Sequence, residues 1–254
     1  MTRQIERLRP HKIVEALSER SLIYIPLGTI EWHCHHLPVG LDALTAHGLC
    51  VRAAENTGGL VWPALYYGTG GDHAQFPWTV MMPDQTAIRS LLMHTLQRLG
   101  EIGINSVVLF SGHFADEQLA MIDAITSEWN RANRTPYVQA LAVNRVHIQT
   151  LPPDHAGRFE TTLLSGLAPE TVELGQLGAE EDGLDRFDPN SPLWGIVGAD
   201  PRQSAPIQPT DLVERLVNWV VDVAGRRGGD NIPSGKPARN DLSATAQPSR
   251  DQPS

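Results

Sequence analysis

Apolar residues arrive along this chain in two rhythms: short continuous blocks, and longer stretches spaced by three and four. Leu22-Ile23-Tyr24-Ile25-Pro26-Leu27 is continuous and bounded by Gly28 and Thr29, which predicts a buried strand. The blocks at 60–67, 106–110 and 137–143 read the same way. Helical spacing fills the intervals. A short helix is predicted over residues 11–18 with Ile13, Val14 and Leu17 on one side, and another over 43–56, ended by Gly58-Gly59. The clearest helix runs from Asp84, a candidate N-cap, to Ile102, with Ile88, Leu91, Leu92, Leu96 and Leu99 as its apolar stripe. Residues 115–132 place Leu119, Ile122, Ile125 and Trp129 inward.

After a long loop at 144–158, Phe159 to Leu164 starts a further helix, and 178–209 is Gly/Pro-rich and irregular. A last amphipathic helix spans 210–227, with Leu212, Leu216, Val220 and Val223 inside and Arg226 and Arg227 late. From Gly228 onward large apolar residues almost vanish, so 228–254 is expected to be a disordered tail behind a single domain at 1–227. Strands alternating with helices predict an α/β fold with a mostly parallel sheet covered on both faces.

The first strand runs into Glu31-Trp32-His33-Cys34-His35-His36-Leu37-Pro38-Val39-Gly40-Leu41-Asp42, and the third ends in Ser111-Gly112-His113. Ligands of α/β proteins bind at the carboxyl edge of the sheet, and on a parallel sheet both strand ends lie on that edge. His33 and His113 are therefore expected to meet. Glu31 and His33, two apart, point the same way on extended backbone. Carboxylate and imidazole together suit Zn²⁺, Mn²⁺ or Fe²⁺. The plain alternative for the first cluster is a surface loop rich in histidine.

Composition narrows the classes. With 254 residues and 41% hydrophobic content the chain supports a large core. A net charge of −9 without any Lys/Arg block argues against a nucleic-acid surface. Two cysteines, Cys34 and Cys50, make no disulfide framework, the first residues lack the apolar core of a signal peptide, and no run is long enough to span a membrane. The expectation is a cytoplasmic protein with reduced thiols.

Three motifs in order, Glu-x-His-x-x-His-Leu-Pro-x-Gly-x-Asp at 31–42, Gly-His at 112–113 and His-Ala-Gly-x-x-Glu-Thr at 155–161, resemble the creatininase (creatinine amidohydrolase) family. The resemblance implies a three-layer α/β/α sandwich, a two-metal site, often a hexamer built as a trimer of dimers, and hydrolysis of a small substrate at an amide C–N bond. Carried over by position, it implies that Glu31, Asp42 and His113 hold one metal, and that His33 and Asp42 hold the other with Asp42 bridging. Zinc is the leading ion, with Mn²⁺ or Fe²⁺ sharing the ligands. Creatininase proper takes a further glutamate where this chain has Ala115, so Glu160 is assigned as the fifth ligand. Asp116 and Glu117 are the substitutes, and their ordinary reading is that of first-turn helix acids.

In such a site a metal-bridging hydroxide attacks a carbonyl carbon. His155 is the candidate general acid/base and Asp154 its candidate orienting partner. His36, His73 and Trp78 match family stretches near the pocket and are candidate substrate contacts, Trp78 as a residue that narrows it. Cys34 reads as a small residue where relatives carry glycine, and His35, His11, His47, His94 and His147 receive no role. Leu151 stands where creatininase proper carries a tryptophan that packs on creatinine, which argues against creatinine as substrate. The leading expectation is a metal-dependent hydrolase of the amide or lactam carbonyl of a small polar metabolite. Rivals are C–C hydrolysis of a cyclic keto-inositol, as in 3-dehydro-scyllo-inosose hydrolase, and a non-catalytic metal-binding scaffold. Formamide hydrolysis of a pyrimidine nucleotide is a third possibility, but no Lys/Arg cluster offers to bind its phosphate.

Overall fold

The computed structural model describes residues 1–146, 148–179 and 185–225. The expected tail at 228–254, together with Arg226, Arg227 and His147, lies outside the described residues. Twelve elements position the site. α1 spans Pro10–Glu19, β1 Leu22–Leu27, α2 Leu41–Thr57, β2 Leu60–Val61, β3 Gly68–Thr69 and β4 Met81–Met82. They are followed by α3 Thr86–Glu101, β5 Ser106–Ser111, α4 Asp116–Arg131, β6 Tyr137–Ala142, α5 Arg158–Leu167 and α6 Pro209–Gly225. The main sheet is parallel in the order β2-β1-β5-β6.

The continuous apolar strands are buried on both faces because alternate residues serve opposite layers. Leu22, Tyr24, Val108 and Phe110 pack with α2, α5 and α6, whereas Ile23, Ile25, Val107 and Leu109 pack with α3 and α4. The result is the expected three-layer α/β/α sandwich. Among the described residues no helix is long and apolar enough to cross a membrane. Cys34 and Cys50 are free and buried.

Several expectations need correction. The block at 60–67 gives only a two-residue strand. Pro63 has no N–H to donate to a ladder, so the chain follows β1 through single contacts such as Leu65 N to Pro26 O (3.0 Å) and Gly28 N to Leu65 O (2.9 Å). Helix α2 begins at Leu41, not at residue 43, which draws Asp42 into its first turn. Asp84 Oδ1 does accept from the Thr86 N–H at 2.7 Å, although the helix itself starts at Thr86. Val14 and Leu91, read as inward, are exposed; both sit at the margins of their stripes, and on α3 the seam is Ile88, Leu92, Leu96 and Leu99.

Two glycines let the sheet edge close on α2. Gly112 N donates to Leu27 O at 2.8 Å, which sets the ends of β1 and β5 side by side. A Cβ on Gly112 would lie 2.0 Å from the Asp42 carbonyl oxygen, and one on Gly28 would lie 2.2 Å from Ala43 N. Both neighbours are helix backbone and cannot turn away. Gly112→Ala is therefore expected to cost about 1–3 kcal/mol by overpacking and to lower the melting temperature by several degrees. Thermal unfolding checks this, and an unchanged midpoint contradicts it.

Candidate metal centre

The site forms at the carboxyl edge of the sheet. Glu31 and His33 follow β1, His113 follows β5, Asp42 lies in the first turn of α2 and Glu160 in the first turn of α5. Helix N-termini favour carboxylates, so two helices aim their acids at one place. All five residues are at most 5% exposed.

Their polar atoms form two neighbouring sets. In one, His113 Nδ1 stands 3.0 Å from Glu31 Oε2 and 3.3 Å from Asp42 Oδ2. In the other, His33 Nε2 stands 3.3 Å from Asp42 Oδ1 and 3.6 Å from Glu160 Oε2. The two oxygens of Asp42 thus face different imidazoles. Donors held about 2.0–2.1 Å from one tetrahedral ion lie about 3.3 Å apart, so these separations fit donors sharing an ion. Glu31 Oε2, Asp42 Oδ2 and His33 Nε2 are buried with no hydrogen-bond partner. No lysine or arginine among the described residues pairs with Glu31, Asp42 or Glu160. Three buried acids without a fixed cation, and orphaned donor atoms pointing inward, are what a divalent-metal site requires. Glu31, His33 and Asp42 offer one compact donor group, and His33, His155 and Glu160 another.

Electrostatics follow from the same crowding. Burial raises Glu31, but the close His113 imidazole, the hydrogen bond from His73 and the charge of His33 outweigh it and hold the carboxyl well below its usual range. Burial opposes charge on His33, yet Asp42 and Glu160 carry it up to about 10. Burial pushes Glu160 up to about 8, and takes His155 down to about 3 with help from His33. His155 is therefore a neutral imidazole at ordinary pH. Burial also lowers His36 to about 4.

The remaining candidates fall into place unevenly. His155 Nδ1 lies 4.0 Å from Glu31 Oε1, and its Nε2 is 2.9 Å from the Trp32 carbonyl oxygen. Asp154 does not orient it. The Asp154 carboxylate instead accepts from the Phe159 and Glu160 backbone N–H groups at 3.2 and 3.4 Å, capping α5, because adjacent side chains here point apart. His36 Nε2 shares a 2.8 Å hydrogen bond with Thr161 Oγ1. His73 Nδ1 is 2.6 Å from Glu31 Oε1. Trp78 does not line a narrowed pocket: it is 78% exposed, on a loop residue with a φ of 60°. Cys34 has a φ of 61°, backbone that favours glycine, and its thiol donates to Pro192 O at 3.0 Å. Asp116 and Glu117 open α4, and Glu117 accepts from Gly71 N at 3.3 Å. Leu151 is buried in the hydrophobic cluster that contains α2, α5 and α6 residues.

Sequence reasoning missed the aromatic flank. Trp32 packs 5.6 Å from Trp194, Trp194 4.8 Å from Phe76, and Phe76 5.4 Å from His73. Trp32 Nε1 donates to Trp194 O at 3.0 Å, and His155 exchanges two 2.9 Å backbone hydrogen bonds with Val197. The segment around 191–199, irregular in sequence, thereby closes one side of the site. Trp32 lies inside the first motif and Phe76 between His73 and Trp78, whereas Trp194 lies in a segment without periodicity.

A parallel α/β/α sandwich whose carboxyl edge gathers three acids and several imidazoles defines a protein equipped to hold divalent metal. More specifically, the chain belongs to the creatininase family, whose profile, described as creatinine amidohydrolase, matches residues 6–224. It is 28% identical over 206 residues to the creatinine amidohydrolase of Pseudomonas putida, spanning 72% of this chain and 76% of that protein. It is 26% identical over 167 residues to the mycofactocin precursor peptide peptidase of Mycolicibacterium smegmatis, spanning 61% and 62%. Both relatives are hydrolases by name. The crystal structure of a creatininase superposes with a TM-score of 0.70 at 23% identity, covering 88% of this chain and 97% of that one, a likeness of fold. Other structures of creatininase are described as a Zn-Zn type and a Mn form.

Proposed function

We propose that this protein is a dinuclear metal-dependent hydrolase of the amide or lactam carbonyl of a small polar metabolite. The observation that carries the reading is Asp42, whose two oxygens stand 3.3 Å from two different imidazoles, His33 and His113. Glu31, Asp42 and His113 would hold one ion, and His33, Asp42 and Glu160 the other. Zinc is the ion we assign; Mn²⁺ and Fe²⁺ suit the same donors. Bound ions would supply an acidified water and polarise the scissile carbonyl.

The chain's own groups do the rest. Asp42 holds two donor sets in one frame. His155, neutral and fixed through Nε2 by the Trp32 carbonyl, takes up a proton during attack and returns it to the departing nitrogen. The aromatic flank of Trp32, Phe76 and Trp194 excludes water from one side. A flank this aromatic supports an amide over a polyol ring ketone, whose hydroxyls would need polar partners there.

Metal uptake must displace protons from His33 and Glu160, whose acidities lie near 10 and 8. Both groups are protonated at neutral pH, so proton competition weakens as pH rises. Zinc affinity is expected to increase from pH 6 to 8, with proton release seen by calorimetry in two buffers. Affinity independent of pH contradicts this.

The test of function is a substrate panel on zinc-loaded protein: lactams, acyclic amides, short peptides and a keto-inositol. Amide or lactam hydrolysis supports the reading. Cleavage of the ring ketone alone transfers the assignment to the C–C hydrolase, and bound metal without any turnover transfers it to the scaffold.

A further inference from the structure

We infer that His73 is a positioning residue with two separate tasks, its ring edge fixing Glu31 and its ring face fixing His155. This rests on the reading of Glu31 as a metal ligand.

The edge comes first. His73 Nδ1 lies 2.6 Å from Glu31 Oε1. Two donors on one tetrahedral ion sit about 3.3 Å apart, so a 2.6 Å separation is a short hydrogen bond and not shared ligation. The imidazole N–H donates and the carboxylate accepts. With Oε1 so engaged, Oε2 is the oxygen left facing His113, 3.0 Å away. The bond therefore selects which oxygen serves the metal set and holds it there.

The face is independent of that bond. The rings of His73 and His155 stack at 3.9 Å between centroids with 22° between planes. His155 is pinned at Nε2 by Trp32 O, which leaves rotation about that bond to be stopped by something against its face. His73 is the nearest ring against it, the His33 ring lies tilted at 4.5 Å, and Phe76 backs His73 at 5.4 Å.

The loop is anchored for this task. His73 lies between β3 and β4, away from the three motif segments. Trp32 N donates to Thr79 Oγ1 at 2.9 Å and Val80 N donates to Ile30 O at 2.8 Å, so the loop is tied to the residues on either side of Glu31.

Two substitutions separate the tasks. His73→Phe keeps a flat ring against His155 and removes the donor to Glu31. His73→Asn keeps an N–H donor and removes the ring. The measurements are zinc titration of the full-length protein against a competing chelator, and the ¹⁵N resonances of the His155 ring, with circular dichroism to confirm folding. His73→Phe is expected to weaken zinc binding by about 10–100-fold and to leave the His155 ring signals close to wild type. His73→Asn is expected to bind zinc more tightly than the Phe variant while its His155 signals move or broaden. The inference is overturned if His73→Phe binds zinc like the wild type, or if both variants change both readouts alike. Wild-type protein that binds no zinc at all would sink the metal reading together with this one.

Discussion

Asp42→Asn should leave a folded protein that holds almost no metal and hydrolyses nothing above background. The reason is geometric. Asp42 gives one oxygen to the set containing His113 and the other to the set containing His33, each at 3.3 Å. Asparagine keeps the shape but offers one neutral oxygen and an NH₂ group that repels a cation, so neither set keeps its anionic donor. Asp42→Ala should do the same and also destabilise the fold by about 3–5 kcal/mol, because two buried imidazoles lose their carboxylate partner. Elemental analysis and thermal unfolding separate these effects. Asn protein that retains two ions per chain would show that Asp42 bridges nothing.

His155→Ala should keep its metal and lose turnover by about 10²–10⁴-fold, the usual worth of a positioned acid/base. His155 Nδ1 stands 4.0 Å from Glu31 Oε1 and belongs to neither of the two proposed donor sets, so its loss should leave both intact. Unchanged turnover would show that a different group moves the proton. Loss of an ion would make His155 a ligand beside His33 and Glu160, with which it forms a compact donor group.

The parts of this molecule that could be read from sequence are those governed by period and by parallel-sheet geometry. Continuous apolar strands and spaced helical stripes located the main elements. The shared edge of β1 and β5 brings His33 and His113 to opposite oxygens of one carboxylate, each 3.3 Å from Asp42. The failures have physical causes. Helix α2 begins at Leu41, two residues before the predicted start, with Gly40 in the N-cap position, so Asp42 is a helix residue. Asp154 adjoins His155 in sequence, but its carboxylate accepts from the backbone five and six residues ahead. Trp194 and Val197 reach the site from a segment without periodicity, through hydrogen bonds to backbone atoms that any residue type carries. His73 meets Glu31 across 42 positions by a loop closure that no local pattern encodes.

The central claim is that this chain carries two metal ions on five ligands. Its most direct test is metal content per chain by elemental analysis, on wild type and Glu160→Ala prepared side by side. The account predicts about two ions per chain in the wild type and about one in the variant, since Glu160 serves the His33 set alone. One ion or none in the wild type, unchanged by the substitution, would contradict it.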